Sequence, residues 1–320
     1  MSTDPGAGRL GPANSPRRNL VALLLAGPWL VLVLVRVCSL DTLWLPIVLV
    51  AFAPLALLTI VLPALAAGLL RAWWAAGVVL VAALTLAVAV LPRELSRPQP
   101  AADGLPLKLL SANVFGEAAS ADGLLAAIRA SDPDIIALQE AGPRTIADLR
   151  AGGVLRTLPY ISGDPQHGTL GYVTLSRHRL TPVAGSALAG GRWPELRVAG
   201  TPLILRNIHP DPPLTPAAAG PWRATLAALP GPAGQLRVIA GDFNATLDHR
   251  AFRALLARGY RDAGAARGDG LDWTWHDGPL RRLVIDHVLV APPVRVDGYR
   301  VIGLPGSDHR AVAVSITLPR

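Results

Sequence analysis

Between Leu43 and Leu91 the sequence carries a single charged residue, Arg71, and this apolar block constrains everything else the chain can be. Leu20 to Val35 is likewise apolar and uncharged, with Arg36 and Asp41 interrupting before the longer run. A hydrocarbon core takes about 20 residues of helix, so there is room for three spans, near Asn19 to Val37, Trp44 to Pro63 and Trp73 to Leu91. Pro46, Pro54 and Pro63 make the second the least regular, and two spans plus an interfacial segment is the alternative. Trp44, Trp73 and Trp74 fall at span ends, where amphipathic aromatics settle at the interface. No ionisable residue sits in the middle of a predicted span, whereas transporters and channels usually carry some. The block therefore reads as an anchor. A cleavable signal peptide fits less well, because no small-x-small site follows the first run and more membrane-length sequence does.

Arg9, Arg17 and Arg18 precede the first span, and the positive-inside rule keeps such residues in the cytoplasm. Three crossings then place the C-terminal part on the extracytoplasmic side of a multi-pass cell-membrane protein, with Arg71 on the inner side and Arg36, Arg93 and Arg97 on the outer. The sequence divides into a basic tail (1–18), a membrane region (19–91), a stiff Pro-rich linker (92–106) and a domain of mixed texture (107–320). That last part is long enough for one substantial core.

The net charge of +8 does not point to a nucleic-acid footprint. Lys108 is the only lysine, and the arginines are scattered, with no run longer than the pairs Arg17-Arg18 and Arg281-Arg282. Basic surfaces that track polyanions concentrate their charge. Cys38 is the only cysteine, which excludes an intrachain disulfide framework and a cysteine metal site.

In the C-terminal part, apolar runs at Leu107 to Val114, Ile135 to Leu138, Gly171 to Leu175, Pro202 to Ile208, Arg237 to Ala240, Leu283 to Val290 and Ala311 to Ile316 predict buried strands. Helical patterns lie at Ala121 to Ala130, with Leu124, Leu125 and Ile128 on one face, and near Ala251 to Arg258. The mixture predicts an α/β sandwich and not a strict βαβ alternation. Polar residues recur at strand ends: Asn113, Glu140, His209, Asp242 with Asn244, and Asp308 with His309, while Asp286 lies within an apolar run. Strand ends on one rim converge in a cleft, and oxygen-rich ligation suits a hard cation such as Mg²⁺ better than zinc.

The segments Ser-Ala-Asn113-Val, Asp-Pro-Asp-Ile-Ile-Ala-Leu-Gln-Glu140, Asn-Ile-His209, Gly-Asp242-Phe-Asn244, Ile-Asp286-His-Val and Ser-Asp308-His309 resemble the endonuclease/exonuclease/phosphatase superfamily, in its order and from about Leu107 to the C-terminus. Each motif is short, and six in sequence are specific. The resemblance implies a DNase I-like fold, a four-layer αββα sandwich with two mixed sheets face to face. It implies Glu140 as the principal Mg²⁺ ligand, with Mn²⁺ a possible substitute, helped by Asn113 and Asp308. It further implies that Asp242 and Asn244 serve the attacking water and the phosphate, that His209 stabilises the pentavalent phosphorus, and that Asp286 supports His309. Either Asp242 or His309 is the base.

No Gly-x-Ser-x-Gly elbow or suitable cysteine offers a covalent nucleophile, so direct attack by water is expected. His167, His178, His249, His276 and His287 match no catalytic slot, and Trp273 and Trp275 either border the cleft or pack in the core. The expected activity is a membrane-anchored phosphodiesterase, nuclease or phosphatase. Its partners are the bilayer and a phosphate ester of nucleic acid, phospholipid headgroup or small molecule, with no protein partner evident. A catalytically inactive membrane-anchored binding module of the same fold is the alternative.

Overall fold

A computed structural model describes residues 15–101 and 103–320; most of the basic tail, Arg9 included, and Ala102 lie outside the described residues. The chain forms two compact units, one comprising the segment up to Leu40 with Phe52–Val90, the other Asp41–Ala51 with Leu91–Arg320.

The first unit contains α1 (Pro16–Val37), α3 (Ala53–Thr59), α4 (Val61–Leu69) and α5 (Trp73–Val90), while α2 (Trp44–Val50) belongs to the second. Small side chains, among them Ala22, Ala26, Ala53, Ala67, Ala75 and Ala82, are buried between the helices of the first unit. Leu24, Leu69 and Val88 point outward and are exposed. Leu32, Ile60, Val79 and Leu86 fill the spaces between the small residues, which let the helices approach closely. The helices of Pro16–Val37 and Trp73–Glu94 are long and apolar enough to cross a membrane, and a third span exists if the pair Trp44–Val50 and Ala53–Leu69, bent by 55°, counts as one.

The expected second span, Trp44 to Pro63, is thus divided. Ile47 is fully buried in an apolar cluster of the second unit with Trp222, Phe243 and Phe252. The linker also departs from its expected exposure at one point. Arg93 is buried, although Leu95 to Pro98 remain at the surface.

The second unit is built from two six-stranded mixed sheets. The first has the order β13 (Arg295–Gly303), β14 (Arg310–Leu318), β1 (Leu105–Asn113), β2 (Ile135–Gln139), β4 (Tyr172–Ser176), β3 (Tyr160–Asp164). The second has β5 (Leu180–Pro182), β6 (Leu196–Val198), β7 (Leu203–Ile208), β8 (Leu236–Asp242), β12 (Asp286–Val290), β9 (Arg261–Asp262). A small hairpin pairs β10 (Trp275–His276) with β11 (Arg282–Leu283). Among the described residues only β1–β2 and β7–β8 are parallel pairs.

Strand alternation explains why β1 reads as one continuous apolar run. Leu107 and Leu109 face the core shared by both sheets, with Leu205, Val238 and Val288 opposite. Leu110 and Ala112 face the other way, against the helices α6 (Ala121–Ser131), α7 (Pro143–Ala151) and α8 (Val154–Thr157). The outer face of the second sheet is covered by α9 (Pro216–Ala228) and α10 (Arg250–Leu256), where Ile208, Ile239 and Leu289 meet Trp222 and Phe252. The expected αββα sandwich is therefore the architecture of this unit.

Several elements escape sequence pattern. The nine-residue β13 is an edge strand with few fully buried positions, and β3 is largely exposed. Helix α9 contains Gly220 and Pro221, which weaken a helical reading, but Thr215 caps it by accepting from the N–H of Ala218. The predicted strand Leu283 to Val290 is broken into β11 and β12. The hydroxyl of Thr274 accepts from the N–H groups of both Ile285 and Asp286, at 3.1 and 3.0 Å, where ladder bonds would otherwise run.

The registers put β1, β2, β7 and β8 ending, and β4, β12 and β14 beginning, at one rim. The loops after Asn113, Gln139, Asp164, Ile208, Asp242 and Gly303 all gather there.

Candidate active site

Gly241 has φ +145°, and a β-carbon at this position would lie 2.0 Å from the carbonyl oxygen of Ile208. Only glycine lets β7 and β8 approach this closely, and the approach sets Asp242 beside the end of β7, next to His209. Glu140 and Asn244 adopt left-handed backbone conformations, φ 56° and 47°. Such geometry is costly for non-glycine residues and concentrates at functional sites. In Asn244 the turn is closed by its own N–H, which donates to Asp242 Oδ1 at 2.8 Å.

Asp242 is the centre of the cluster. Its Oδ2 accepts from Asn113 Nδ2 at 3.1 Å and lies 3.5 Å from His209 Nε2 and 3.6 Å from His309 Nε2. Asn113 Nδ2 also donates to Glu140 Oε1 at 3.0 Å, and His209 Nε2 is 3.6 Å from that oxygen. His309 Nδ1 is 2.9 Å from Asp286 Oδ2, and Asp308 Oδ1 is 3.8 Å from His309 Nε2. The six strand-end segments thus meet in one buried network. Asn244 turns its side chain aside to donate to the carbonyl of Pro210 at 3.0 Å, bracing the loop that carries His209.

Burial works against charge on every group here, and the neighbours decide the outcome. The pKa of His309 is raised to about 10, since the carboxylates of Asp286 and Asp242 outweigh its desolvation. His209 is raised by Asp242 and Glu140 against the same penalty. Asp242 is lowered because His309 and His209 more than offset its burial. Asp286 is raised, first by burial and then by the nearby charge of Asp242. The two carboxylates that share His309 are therefore pushed apart.

A divalent cation fits the donor set. Glu140, Asp242, Asp286 and Asp308 bring four carboxyl groups to two imidazoles, a surplus of oxygen donors over cationic partners. All four offer hard oxygen donors. Asp308 Oδ1 is buried without a hydrogen-bond partner, while its Oδ2 accepts from Trp275 Nε1 at 2.9 Å. Asp242, Asp286 and His309 also present ligand atoms within 4.8 Å of one another. There, however, His309 Nδ1 is engaged with Asp286, which suits a hydrogen-bonded pair better than a cation. Asn113, expected beside the metal, directs its amide nitrogen at the two carboxylates, and its oxygen accepts from the N–H of Phe115 at 2.9 Å. In this orientation its nitrogen positions the two carboxylates, while its oxygen keeps a second lone pair.

Three supporting residues have no role at the site assigned by sequence. Thr274 fixes the start of β12, Trp275 holds Asp308, and Ser307 Oγ donates to the carbonyl of Asn113 at 2.9 Å while accepting from the N–H of His309 at 3.0 Å. Trp275 was legible only as a cleft-bordering candidate, and nothing local marks Thr274. Among the remaining histidines, His249 and His287 are buried and hydrogen-bonded away from the cluster, and His167 Nδ1 lies 2.8 Å from Glu117 at the surface.

The family model for the endonuclease/exonuclease/phosphatase family matches residues 110–309. Among solved structures, an AP endonuclease from Archaeoglobus fulgidus is 14% identical, with 65% of this chain and 98% of that one covered and a TM-score of 0.52. A humanized D. rerio TDP2 is 19% identical over 66% and 99%, TM-score 0.51. An endonuclease/exonuclease/phosphatase from Bacteroides vulgatus is 18% identical over 67% and 99%, TM-score 0.50. At these identities the likeness speaks for the fold. Among curated proteins nothing matches.

Proposed function

Since the chain belongs to the endonuclease/exonuclease/phosphatase family, we propose that its C-terminal unit is a Mg²⁺-dependent hydrolase of phosphate esters, anchored to a membrane by its N-terminal helices. The observation that carries this reading is the position of Asp242, whose carboxylate meets Asn113, His209 and His309 at 3.1, 3.5 and 3.6 Å. An AP endonuclease and a TDP2 share the fold, which favours phosphoester chemistry as the class.

Glu140 and Asp308 are the residues that would hold the cation. Bound there, it would act as a Lewis acid on a phosphoryl oxygen and offset the surplus of carboxylates. Asp242, kept ionised by its two histidines, accepts the proton of the attacking water, and Asn244 holds the turn that aims Asp242. His209 faces Glu140 and Asp242 with its Nε2 and stabilises charge developing on phosphorus. Asp286 accepts from Nδ1–H of His309 and, with Asp242, favours the protonated ring, so that Nε2 also bears a proton and directs it at the site. Replacing Glu140 by Gln should lower hydrolysis of a soluble phosphodiester by at least about a hundredfold, the usual scale for removing such a group. An unchanged rate in a folded variant would reject the assignment.

The anchor reading is supported by chain topology. Asp41–Ala51 follows α1 and Leu91 onward follows α5, and both segments belong to the C-terminal unit. Counting the bent pair Trp44–Val50 and Ala53–Leu69 as one span gives three crossings. With Arg17 and Arg18 inside, the catalytic unit is extracytoplasmic.

A further inference from the structure

The rim that carries the candidate site is also the end at which the chain enters the C-terminal unit. Three consecutive residues close the loop that starts at Asp242, and each holds a segment that has just left an apolar helix. Asp248 receives two hydrogen bonds from Arg93, at 2.8 and 2.6 Å. His249 Nε2 donates to the carbonyl of Ile47 at 3.0 Å. The N–H of Arg250 donates to Asp41 Oδ2 at 2.6 Å. Val37 ends α1 four residues before Asp41, and Val90 ends α5 three residues before Arg93.

From Arg93 the chain runs along the flank toward the opposite rim. The carbonyl of Arg93 accepts from Gly270, the N–H of Arg97 donates to Ala266, and Gln99 Oε1 accepts from Arg261 and Val296. Only then does β1 begin, at the end far from the site.

A second observation is independent of the first. Four loops of the site rim expose large apolar side chains: Phe115 (47% exposed), Leu170 (47%), Leu214 (62%) and Leu280 (73%). The first two loops abut, since a β-carbon on Gly116 would lie 3.7 Å from Gly168. Cations accompany these tips. Arg192, stacked on Trp193, donates to the carbonyl of Leu170 at 3.3 Å, and Leu280 is followed by Arg281, paired with Asp277, and by Arg282, which lies over the ring of Trp273. Apolar tips flanked by arginines suit the boundary between acyl chains and anionic headgroups. A polyanion such as DNA would leave those tips without an apolar partner.

We propose that this rim rests on a lipid surface and that the site hydrolyses phosphoesters of membrane-lipid headgroups; the substrate class rests on the hydrolase reading above. In the reaction the oxygen of water bonds to phosphorus, the ester P–O bond breaks, and the proton that water loses is balanced by the one the leaving oxygen gains.

The test uses the full chain reconstituted in vesicles of phosphatidylglycerol and phosphatidylcholine. A Leu214→Ser, Leu280→Ser double variant should lose about tenfold or more of its turnover of vesicle lipid, the scale of withdrawing two buried leucines, and keep its rate on soluble bis(4-nitrophenyl) phosphate. A fluorophore on Leu280→Cys, in a Cys38→Ser background, should be quenched by lipids with brominated chains. An unquenched label, or equal lipid turnover by the double variant, would overturn the docking. Quenching without lipid turnover, or cleavage of duplex DNA in its place, would overturn the substrate class. Loss of the hydrolase reading itself shows separately, as a Glu140→Gln variant that still hydrolyses the soluble ester.

Discussion

Arg93 donates from both terminal nitrogens to the two oxygens of Asp248, and the pair is buried. Removing one member of such a pair leaves an uncompensated charge, at a cost of about 3–5 kcal/mol. Arg93→Ala should therefore lower the unfolding midpoint of the C-terminal unit clearly, and Arg93→Met with Asp248→Leu should recover much of the loss. A chain begun at 107 should be destabilised in the same way. Denaturant unfolding of these three proteins beside the unaltered chain checks this; a midpoint of Arg93→Ala equal to that of the unaltered chain would show that the pair contributes nothing.

His249 should make this attachment sensitive to acid. Its Nδ1 accepts from the N–H of Thr246 at 2.7 Å and its Nε2 faces the carbonyl of Ile47, so the ring is neutral. Burial lowers its pKa from the ordinary value of 6.5, against the opposing pull of Asp41 and Asp248. With the folded pKa depressed, the unfolded state binds more protons below pH 6.5, and stability falls as pH drops through that value toward the folded pKa. Thermal unfolding between pH 7.5 and 5.5 should show this loss, and His249→Gln should flatten it. Parallel pH curves for the two proteins would contradict the role.

The Asp286–His309 pair predicts a split between geometry and chemistry. Asp286 touches His309 at 2.9 Å, and on the proposed mechanism Asp286→Asn should reduce kcat by about a hundredfold or more with little change in KM. It should also lower the pKa read from the pH–rate profile, because the asparagine withdraws a negative charge from the imidazole. A variant with altered KM and an unmoved profile would reduce Asp286 to a packing role.

Metal binding has a readout apart from activity. Mg²⁺ should raise the melting temperature of the full chain in detergent, since a ligand that binds the folded state stabilises it, and Glu140→Gln should abolish the rise. EDTA should remove hydrolysis of a soluble phosphodiester, with Mn²⁺ restoring it. A melting temperature indifferent to Mg²⁺ would argue against a cation held by Glu140.

Gly241 gives the sharpest structural test. A methyl group there would meet the Ile208 carbonyl at 2.0 Å, so Gly241→Ala should force β7 and β8 apart and displace Asp242 from His209. Hydrolysis should fall by at least about a hundredfold, as for the loss of a positioned group. Full activity in this variant would show that the strands can yield without moving the site.

Sequence by itself determined the fold of the C-terminal unit and which residues could serve a site. The apolar runs of β1, β2, β7 and β8 are legible because both faces of these strands are covered, and the polar residues at their ends stand out against that background. Edge strands such as β13 were not legible, because an exposed strand need not alternate or be apolar. The same holds for α9, whose Gly220 and Pro221 are tolerated only because Trp222 and Leu226 are buried against the second sheet.

Tertiary structure decided the rest, since it depends on contacts between residues far apart in the chain. Hydropathy assigned Trp44 to Val50 to a membrane span, as an apolar segment reads alike whether lipid or protein covers it. Packing of Ile47 beside Trp222 and Phe252 placed it instead in the C-terminal unit. Likewise Asn113, adjacent to no carboxylate in sequence, is turned toward Glu140 and Asp242 by the Phe115 N–H that occupies its oxygen. Local pattern can name a polar side chain at a strand end, but its role is set by the neighbours that satisfy its hydrogen bonds.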